Sequence, residues 1–261
     1  MEGNKNKKEV IGFFDSGVGG LSVMKEAIKL MPNENFLYFG DSKNAPYGVK
    51  KSEEVKRLTF KAVDYLISKG AKAVVIACNT ATSVSAEDLR KAYNNIPIIG
   101  IEPALKPAVE INKGGKIIVM ATSVTLTEEK FKKLMDKYRE DTDIIPLPCP
   151  GLMEFIECGE LSGVKLHNFL KEKFEKIHVN LSDIESIVLG CTHYPFIESE
   201  IRKIVGNKVQ IIDGSYGTSK ELKRRLEEIG KLNKNQNKGN IEINNSINDK
   251  KIIDLCYKLL K

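Results

Sequence analysis

Two cysteines occur in matching sequence contexts that suit acid–base chemistry. Cys78 follows the apolar run Ala73–Ala77, and Cys191 follows the similar segment Ser186–Gly190. In both places polar residues come next, before a stretch that can form a helix. A thiol at the carboxyl end of a buried strand lies where open α/β sheets bind their ligands. The sequence therefore predicts two thiols in equivalent positions at a ligand site.

Two such thiols can move protons on opposite faces of a carbon acid. A helix N-terminus lowers the pKa of a nearby thiol and favours the thiolate. One thiolate would remove a proton, and the opposing thiol would deliver another to the far face and invert the centre. A thiol hydrolase needs one nucleophile, a base and an oxyanion hole, so the second cysteine would have no purpose. The structural alternative is that both cysteines are ordinary buried core residues.

Asp15 and His193 lie close in sequence to positions that face the same ligand site. Asp15 ends the first predicted strand, and His193 lies two residues after Cys191. Each has an ordinary alternative, Asp15 as a turn or capping residue and His193 as a structural histidine. The turn Gly17–Gly20 lacks the spacing of a dinucleotide fingerprint or a P-loop. We expect it to let backbone N–H groups approach a carboxylate.

Strands and helices alternate along the chain, which predicts a parallel α/β fold. Apolar runs predict strands at 10–14, 36–39, 73–77, 96–101, 116–120, 184–189 and 209–212. Helical spacing predicts five helices. One follows the glycine turn, one covers residues 52–70, and one begins after Cys78-Asn79-Thr80 and ends at about residue 93. The other two cover residues 125–138 and 252–260. The Asn- and Lys-rich stretch 231–250 is expected to form an exposed loop or a weak edge strand.

The composition is that of an ordinary globular protein. The 261 residues include 41 Lys and Arg against 35 Asp and Glu, a formal charge of +6, and 41% are hydrophobic. This excludes collagen-like, coiled-coil and mostly disordered chains. Because the positive charge is spread along the chain, we expect solvated surface rather than a nucleic-acid partner. No segment approaches the roughly 20 apolar residues of a membrane helix, and the first residues lack a signal-peptide pattern. We therefore expect a cytoplasmic protein without membrane association.

Five cysteines without a C-x-x-C pair argue against two other roles for these residues. An odd number in this arrangement predicts neither a disulfide framework nor a zinc site. Since two thiols would supply both proton transfers, we expect no cofactor, pyridoxal phosphate included, and no metal.

Taken together, the motifs resemble those of glutamate racemase, the cofactor-independent family that makes D-glutamate for bacterial peptidoglycan. The matching segments follow the family's order and are Gly12–Gly20, Tyr47-Gly48, Ala77–Thr82, Gly100–Pro103 and Leu189–Pro195. The chain departs from the family at Asp213-Gly214-Ser215, where the usual order is closer to Asp-Ser-Gly. Nothing functional is carried over from residues 231–250.

The resemblance implies roles for individual residues. Cys78 and Cys191 would be the two acid/base residues, with Asp15 assisting Cys78 and His193 assisting Cys191. Family members carry a glutamate shortly after a Cys-Pro pair, here Cys149-Pro150, and the spacing favours Glu157 over Glu154. The implied substrate contacts are Asp15, Ser16, Tyr47, Gly48, Asn79, Thr80, Thr122, Thr192 and His193. Hydroxyls, amides and helix N-termini in this set can hold both carboxylates of glutamate without an arginine.

The resemblance also implies two pseudo-symmetric parallel-sheet α/β domains with the active site in the cleft between them. Residues 1–102 and 213–261 would form the first domain and residues 103–212 the second. We further expect a homodimer.

Two rival functions remain open on the sequence. A sister racemase acting on aspartate would share the two-cysteine pattern, although the residues that follow Cys78 and Cys191 favour glutamate. A nucleic-acid-binding or regulatory protein built on an inactive racemase scaffold is disfavoured because all the candidate catalytic residues are present. Salt-sensitive DNA binding would support that second alternative.

Overall fold

The computed structural model describes residues 9–111, 115–139 and 142–261. The strands are β1 (Val10–Asp15), β2 (Phe36–Gly40), β3 (Ala71–Ile76), β4 (Ile98–Gly100), β5 (Lys116–Ala121), β6 (Asp143–Pro148), β7 (Ile184–Leu189), β8 (Gln210–Asp213) and β9 (Ile241–Asn245). The helices are α1 (Leu21–Leu30), α2 (Ser52–Ser68), α3 (Asn79–Ala92), α4 (Leu105–Ile111), α5 (Ser123–Thr127), α6 (Glu129–Tyr138), α7 (Leu152–Glu157), α8 (Val164–Glu175), α9 (Glu198–Val205), α10 (Ser215–Glu228) and α11 (Lys250–Leu260).

The chain divides into two compact units. Unit 1 contains the residues up to Ile101 together with Ser215–Lys261, and unit 2 contains Glu102–Gly214. Unit 1 has a five-stranded sheet in the order β4-β3-β1-β2-β9, and unit 2 has a four-stranded sheet in the order β6-β5-β7-β8. Every neighbouring pair of strands is parallel. The predicted α/β class with two parallel sheets is confirmed.

The strands that precede the two candidate cysteines are deeply buried. All six residues of β3 are buried, as are five of the six residues of β7. Continuous burial explains why these strands read as unbroken apolar runs rather than as alternating patterns. The N–H of Ala77 donates to the carbonyl of Phe14 at 2.8 Å. Asp15 and Cys78 therefore leave neighbouring strands at the same edge of the sheet.

The predicted helix over 125–138 is wrong in its continuity. The structure has α5 and α6 in its place, separated by Glu128 with φ −62° and ψ 134°. Thr122 caps α5, since its hydroxyl accepts the N–H of Thr125 at 3.2 Å. Near the end of α5 the hydroxyl of Thr127 bonds to the carbonyl of Ser123 at 3.0 Å. Such local side-chain bonds to the backbone compete with continuation of a helix.

Two strands have no counterpart among the predicted apolar runs, and both lie at sheet edges. β6 contains Pro146 and Pro148, which cannot donate to a ladder and are tolerated at an edge. β9 lies within the Asn-rich stretch and pairs with β2, from Phe36 opposite Ile241 to Gly40 opposite Asn245. The stretch 231–250 thus supplies an edge strand, one of its two expected forms.

A buried ion pair fixes the segment that joins α10 to β9. Lys72 Nζ lies 2.7 Å from Glu34 Oε2, and the two side chains are 4% and 2% exposed. Lys72 also donates to the carbonyl of Lys231 at 2.7 Å, and the N–H of Asn233 donates to Glu34 Oε1 at 2.6 Å. Both charges therefore have partners, and the pair ties the returning chain to unit 1.

Replacing Lys72 by methionine is expected to lower the free energy of unfolding by about 3 kcal/mol, because Glu34 is left as an unpaired buried carboxylate. Urea unfolding followed by circular dichroism measures the change. Adding Glu34→Gln to the Lys72→Met variant keeps a side-chain oxygen that accepts the N–H of Asn233, and it removes the unpaired negative charge. The double variant should therefore be more stable than Lys72→Met alone. A double variant no more stable than the single one would contradict the interpretation.

Candidate active site

Cys78 is held at the start of α3 by the helix and by the loop after β1. Its sulfur accepts the N–H of Ala81 at 3.4 Å and lies 3.6 Å from Ser16 Oγ. The residue is 6% exposed. The N–H groups at the first turn of a helix stabilise negative charge. This position therefore favours a thiolate at Cys78.

Asp15 lies at the end of β1 and is completely buried. Its Oδ1 accepts the N–H of Gly17 at 2.8 Å, and the hydroxyl of Tyr38 donates to the carbonyl of Gly17 at 2.8 Å. A Cβ at Gly20 would lie 2.7 Å from Asp15 Cβ and 2.8 Å from Ala77 Cβ. The glycine turn thus allows α1 to begin directly against the ends of β1 and β3. This close packing holds the Asp15 carboxylate at the same edge as Cys78.

Tyr47 contributes a neutral hydroxyl to this part of unit 1. The residue is 1% exposed and its hydroxyl donates to Asp41 Oδ2 at 2.8 Å. Burial raises the pKa of Tyr47 far above its ordinary value, and the carboxylate of Asp41 raises it further. Negative charge on Cys78 and Asp15 acts in the same direction. Gly48 follows in a single turn, Tyr47–Val49, and is half-buried.

Asn79 and Thr80 are the first two residues of α3, and both are buried. No donor in the described part of the chain reaches Asn79 Oδ1. A buried carbonyl oxygen without a partner is costly, so this atom is suited to accept a hydrogen bond from a ligand.

Unit 2 places a hydrogen-bonded row of three side chains after β7. Cys191 Sγ lies 3.6 Å from His193 Nδ1, and His193 Nε2 lies 2.6 Å from Glu157 Oε1. Burial alone would lower the pKa of His193, but the hydrogen bonds and negative charges of Cys191 and Glu157 hold it well above its ordinary value. The imidazolium is therefore favoured, and its Nδ1 lies within hydrogen-bonding distance of the Cys191 sulfur.

The spacing argument that favours Glu157 over Glu154 agrees with this geometry. Glu157 is the last residue of α7 and bonds to His193, whereas Glu154 in the first turn of α7 is exposed. The side chain of Glu157 is 18% exposed. The catalytic role implied for Glu157 remains a prediction.

Two threonines of the implied substrate set differ in their surroundings. Thr192 is 4% exposed and lies between Cys191 and His193. Thr122 is half-buried and its hydroxyl caps α5, with Thr125 Oγ1 at 3.0 Å. A substrate contact of Thr122 therefore has to coexist with its role as a helix cap.

Cys149 and Tyr194 surround Cys191 without duplicating it. The hydroxyl of Tyr194 donates to the carbonyl of Cys149 at 3.4 Å. Burial raises the pKa of the Cys149 thiol to about 12. Burial also raises the pKa of Tyr194, and negative charge on Cys191 and Cys149 raises it further. Both groups stay protonated near neutral pH, so neither competes with Cys191 as a base.

Comparison with known proteins bears on what such a site does. A family model described as Asp/Glu/hydantoin racemase matches residues 19–215. The chain belongs to the Asp/Glu/hydantoin racemase family. Among similar members, a glutamate racemase of Clostridium botulinum (strain Langeland, Type F) is 64% identical over 249 residues, covering 95% of this chain and 96% of the relative. One from Clostridium perfringens (strain 13, Type A) is 59% identical over 255 residues, covering 98% and 97%.

A solved racemase structure is similar over the same length. Glutamate racemase from Francisella tularensis, in complex with D-glutamate, superposes with a TM-score of 0.82 at 29% identity. The match covers 97% of this chain and 94% of the other. The resemblance to glutamate racemase drawn from the motifs is confirmed.

Residues 9–111, 115–139 and 142–261 contain no group of three His, Cys, Asp or Glu side chains arranged to hold a metal ion. None of the five cysteines forms a disulfide bond. Within the same described ranges, no helix has the length and apolar character needed to cross a membrane.

Asp41 was not singled out by the sequence, although it bonds to Tyr47, one of the implied substrate contacts. Asp41 is 5% exposed and bonds to the hydroxyl of Tyr47 and the amide of Asn44. Its signal was a carboxylate directly after a buried strand, followed within six residues by a turn and a tyrosine. That signal is too common to be specific, because Asp at a strand end most often serves a turn.

Proposed function

We propose that this chain interconverts L-glutamate and D-glutamate without a cofactor, using Cys78 and Cys191 as the two acid/base residues. The observation that carries the proposal is that Cys78 and Cys191, one in each unit, are buried and lie in matching positions, two residues after the last residue of an interior strand. Each cysteine also has its own polar partners. The relatives that are 59% and 64% identical over nearly the whole chain are glutamate racemases. Their names support glutamate over aspartate.

The proposed reaction conserves protons in each turnover. The thiolate of one cysteine takes the hydrogen from the α-carbon and becomes a thiol. The thiol of the other cysteine gives its proton to the opposite face and becomes a thiolate. After the product leaves, exchange of protons with water or a turnover in the reverse direction restores the first state. Only protons move, so no oxidant or reductant is needed. The mechanism requires both sulfurs to reach one α-carbon from opposite faces.

The assisting residues are proposed to differ between the two thiols. Ser16 and the start of α3 stabilise the Cys78 thiolate, and Asp15 adds a second group able to hold or move a proton. On the other side His193, held by Glu157, stabilises the Cys191 thiolate as an imidazolium. The α-proton is a very weak acid, so dipoles fixed before the reaction must also stabilise the carbanion.

Binding of the substrate is proposed to use uncharged groups near both thiols. The unpartnered Asn79 Oδ1 can accept a hydrogen bond from the α-ammonium group. Backbone N–H groups at Ser16 and at the Tyr47-Gly48 turn can donate to carboxylates, as can the hydroxyls of Thr80 and Thr192. This set supports a small dicarboxylate amino acid as the ligand.

The proposed function has a direct test. Purified protein with reduced thiols and no added cofactor is incubated with L-glutamate in D2O, with L-aspartate in parallel. We expect deuterium at the α-carbon by proton NMR, and a circular dichroism signal that decays to zero as the racemate forms. Activity on aspartate alone would move the assignment to a sister racemase. If the folded protein acts on neither amino acid, the proposal fails and the binding-protein alternative takes precedence.

We infer further that the enzyme supplies D-glutamate for peptidoglycan, acts in the cytoplasm and forms a homodimer. The glutamate racemase family supports the first inference, and five free cysteines fit a reducing compartment. Sedimentation equilibrium of the purified protein would test the dimer. Loss of the chain's activity in a bacterium should be rescued by D-glutamate in the medium.

A further inference from the structure

Asp41 is a buried carboxylate in unit 1 to which the motifs assign no role. It follows β2 directly and is 5% exposed. Asn44 Nδ2 donates to both of its oxygens at 3.0 Å, and the hydroxyl of Tyr47 donates to Oδ2 at 2.8 Å. The backbone N–H of Asp41 donates to the carbonyl of Asp15 at 2.9 Å. One residue thus connects the end of β1 to the Tyr47-Gly48 turn.

These bonds use most of the accepting capacity of the carboxylate. An ionised carboxylate has about four lone-pair sites, and three are directed at donors within its own loop. Asp41 is therefore placed to act on its neighbours, not on a ligand. It points the hydroxyl hydrogen of Tyr47 towards itself and fixes the side chain that begins the turn.

Tyr47 is held from a second side by ring packing. Its ring centroid lies 6.1 Å from that of Phe14, which precedes Asp15 in β1. The phenol is kept neutral because burial and the nearby carboxylate both raise its pKa. With one end packed and the other hydrogen-bonded, the residue has little freedom, and the backbone of Gly48 is positioned with it.

We propose that Asp41 is a positioning residue which, through Tyr47, holds the Tyr47-Gly48 turn in the conformation that binds glutamate. The inference rests on the proposed function, because it is the resemblance to glutamate racemase that implies contacts from Tyr47 and Gly48 to the substrate. Preorganisation of this kind lowers the cost of ordering a binding loop. The turn should therefore contribute to substrate affinity more than to proton transfer.

The first test is the substitution Asp41→Asn. It replaces one carboxylate oxygen, which accepts hydrogen bonds from Asn44 and Tyr47, by an NH2 group that is itself a donor. We expect KM for both enantiomers of glutamate to rise about tenfold, the change that about 1.4 kcal/mol produces in an equilibrium constant. We expect kcat to change much less. Tyr47→Phe should raise KM similarly, and the double variant should be no worse than either single one, since both remove the same hydrogen bond.

A second tyrosine–aspartate pair in unit 1 provides a matched control. The hydroxyl of Tyr93 bonds to Asp64 Oδ1 at 2.5 Å on the exposed side of α2 and α3. Asp64→Asn removes the same type of hydrogen bond far from the candidate substrate contacts in sequence. We expect its KM to match the wild type, while thermal unfolding reports any general loss of stability in both variants.

The outcomes separate this inference from the function it rests on. If the wild-type protein does not racemise glutamate, the proposed function fails and this inference fails with it. If the wild type is active and Asp41→Asn has an unchanged KM, the positioning role alone is refuted. Additive effects of Asp41→Asn and Tyr47→Phe on KM would also refute it. So would a fall in kcat that merely follows a lowered unfolding temperature, because that would indicate a structural role only.

Discussion

Replacing Cys78 or Cys191 by serine is expected to reduce the rate of glutamate racemisation at least about 10³-fold. A positioned acid or base increases a reaction rate by a factor on the order of 10²–10⁴. A serine hydroxyl is a far weaker acid than a thiol and cannot take over this role. Each substitution is nearly isosteric, so we expect circular dichroism and the unfolding temperature to stay close to those of the wild type. Rates are measured by the decay of optical activity in D2O. A wild-type rate in either variant would refute the two-thiol mechanism.

The two serine variants are also expected to differ in which enantiomer of glutamate still exchanges its α-hydrogen. Each retains one thiol, which reaches only one face of the α-carbon. Residual exchange of the α-hydrogen for deuterium should therefore be confined to one enantiomer in Cys78→Ser and to the other in Cys191→Ser. Cys158→Ser is the matched control, since Cys158 is an exposed free thiol. Exchange of the same enantiomer in both variants would argue for a single base.

Replacing Glu157 by glutamine is expected to lower kcat about a hundredfold, in the range attributed to positioned acids and bases. The carboxylate bonds to His193 at 2.6 Å and helps to hold the pKa of that histidine well above its ordinary value. Without it the imidazolium beside Cys191 is less stable, and His193 assists Cys191 less effectively. Glu154→Gln changes the same charge on the same helix at an exposed position, and we expect little effect.

Stability as a function of pH gives an independent readout of the same pair. Because the pKa of His193 is raised in the folded state, the folded protein binds more protons than the unfolded chain above the ordinary histidine pKa of about 6.5. The stabilisation is full below that pH and is lost as pH rises through the raised pKa. Glu157→Gln should lose less stability than the wild type over this rise. An equal loss in both proteins, with an unchanged kcat, would contradict the role of Glu157.

The fold could be predicted from the sequence where burial alone decides the structure. β3 and β7 lie inside their sheets, so they read as continuous apolar runs. β6 escaped prediction because an edge strand tolerates Pro146 and Pro148. The break between α5 and α6 depends on side-chain bonds to the backbone at Thr122 and Thr127, which apolar spacing does not reveal.

The candidate site could be predicted only in part, because a local sequence pattern does not reveal which side chains contact one another in the fold. Two cysteines after matching strands form a local pattern that can be read from the chain. The contact between His193 and Glu157 joins residues 36 positions apart, and the family resemblance implied each residue but not the contact between them. Asp41 was missed because its significance lies in the hydroxyl of Tyr47 and the amide of Asn44, and ordinary turn residues look the same in sequence.

The discontinuity of unit 1 sets the order in which the units that carry Cys78 and Cys191 can be completed on the ribosome. Unit 2 is one uninterrupted segment, Glu102–Gly214. In unit 1, by contrast, β2 pairs with β9. Just before these strands, the N–H of Asn240 donates to Oδ1 of Asn35, which lies 205 positions earlier. Synthesis proceeds from the N-terminus, and contacts this distant in sequence form late. The unit that carries Cys191 is therefore fully synthesised first, and the unit that carries Cys78 is completed only when Ser215–Lys261 has followed. If both cysteines act as proposed, we expect racemase activity only after β9 has been synthesised.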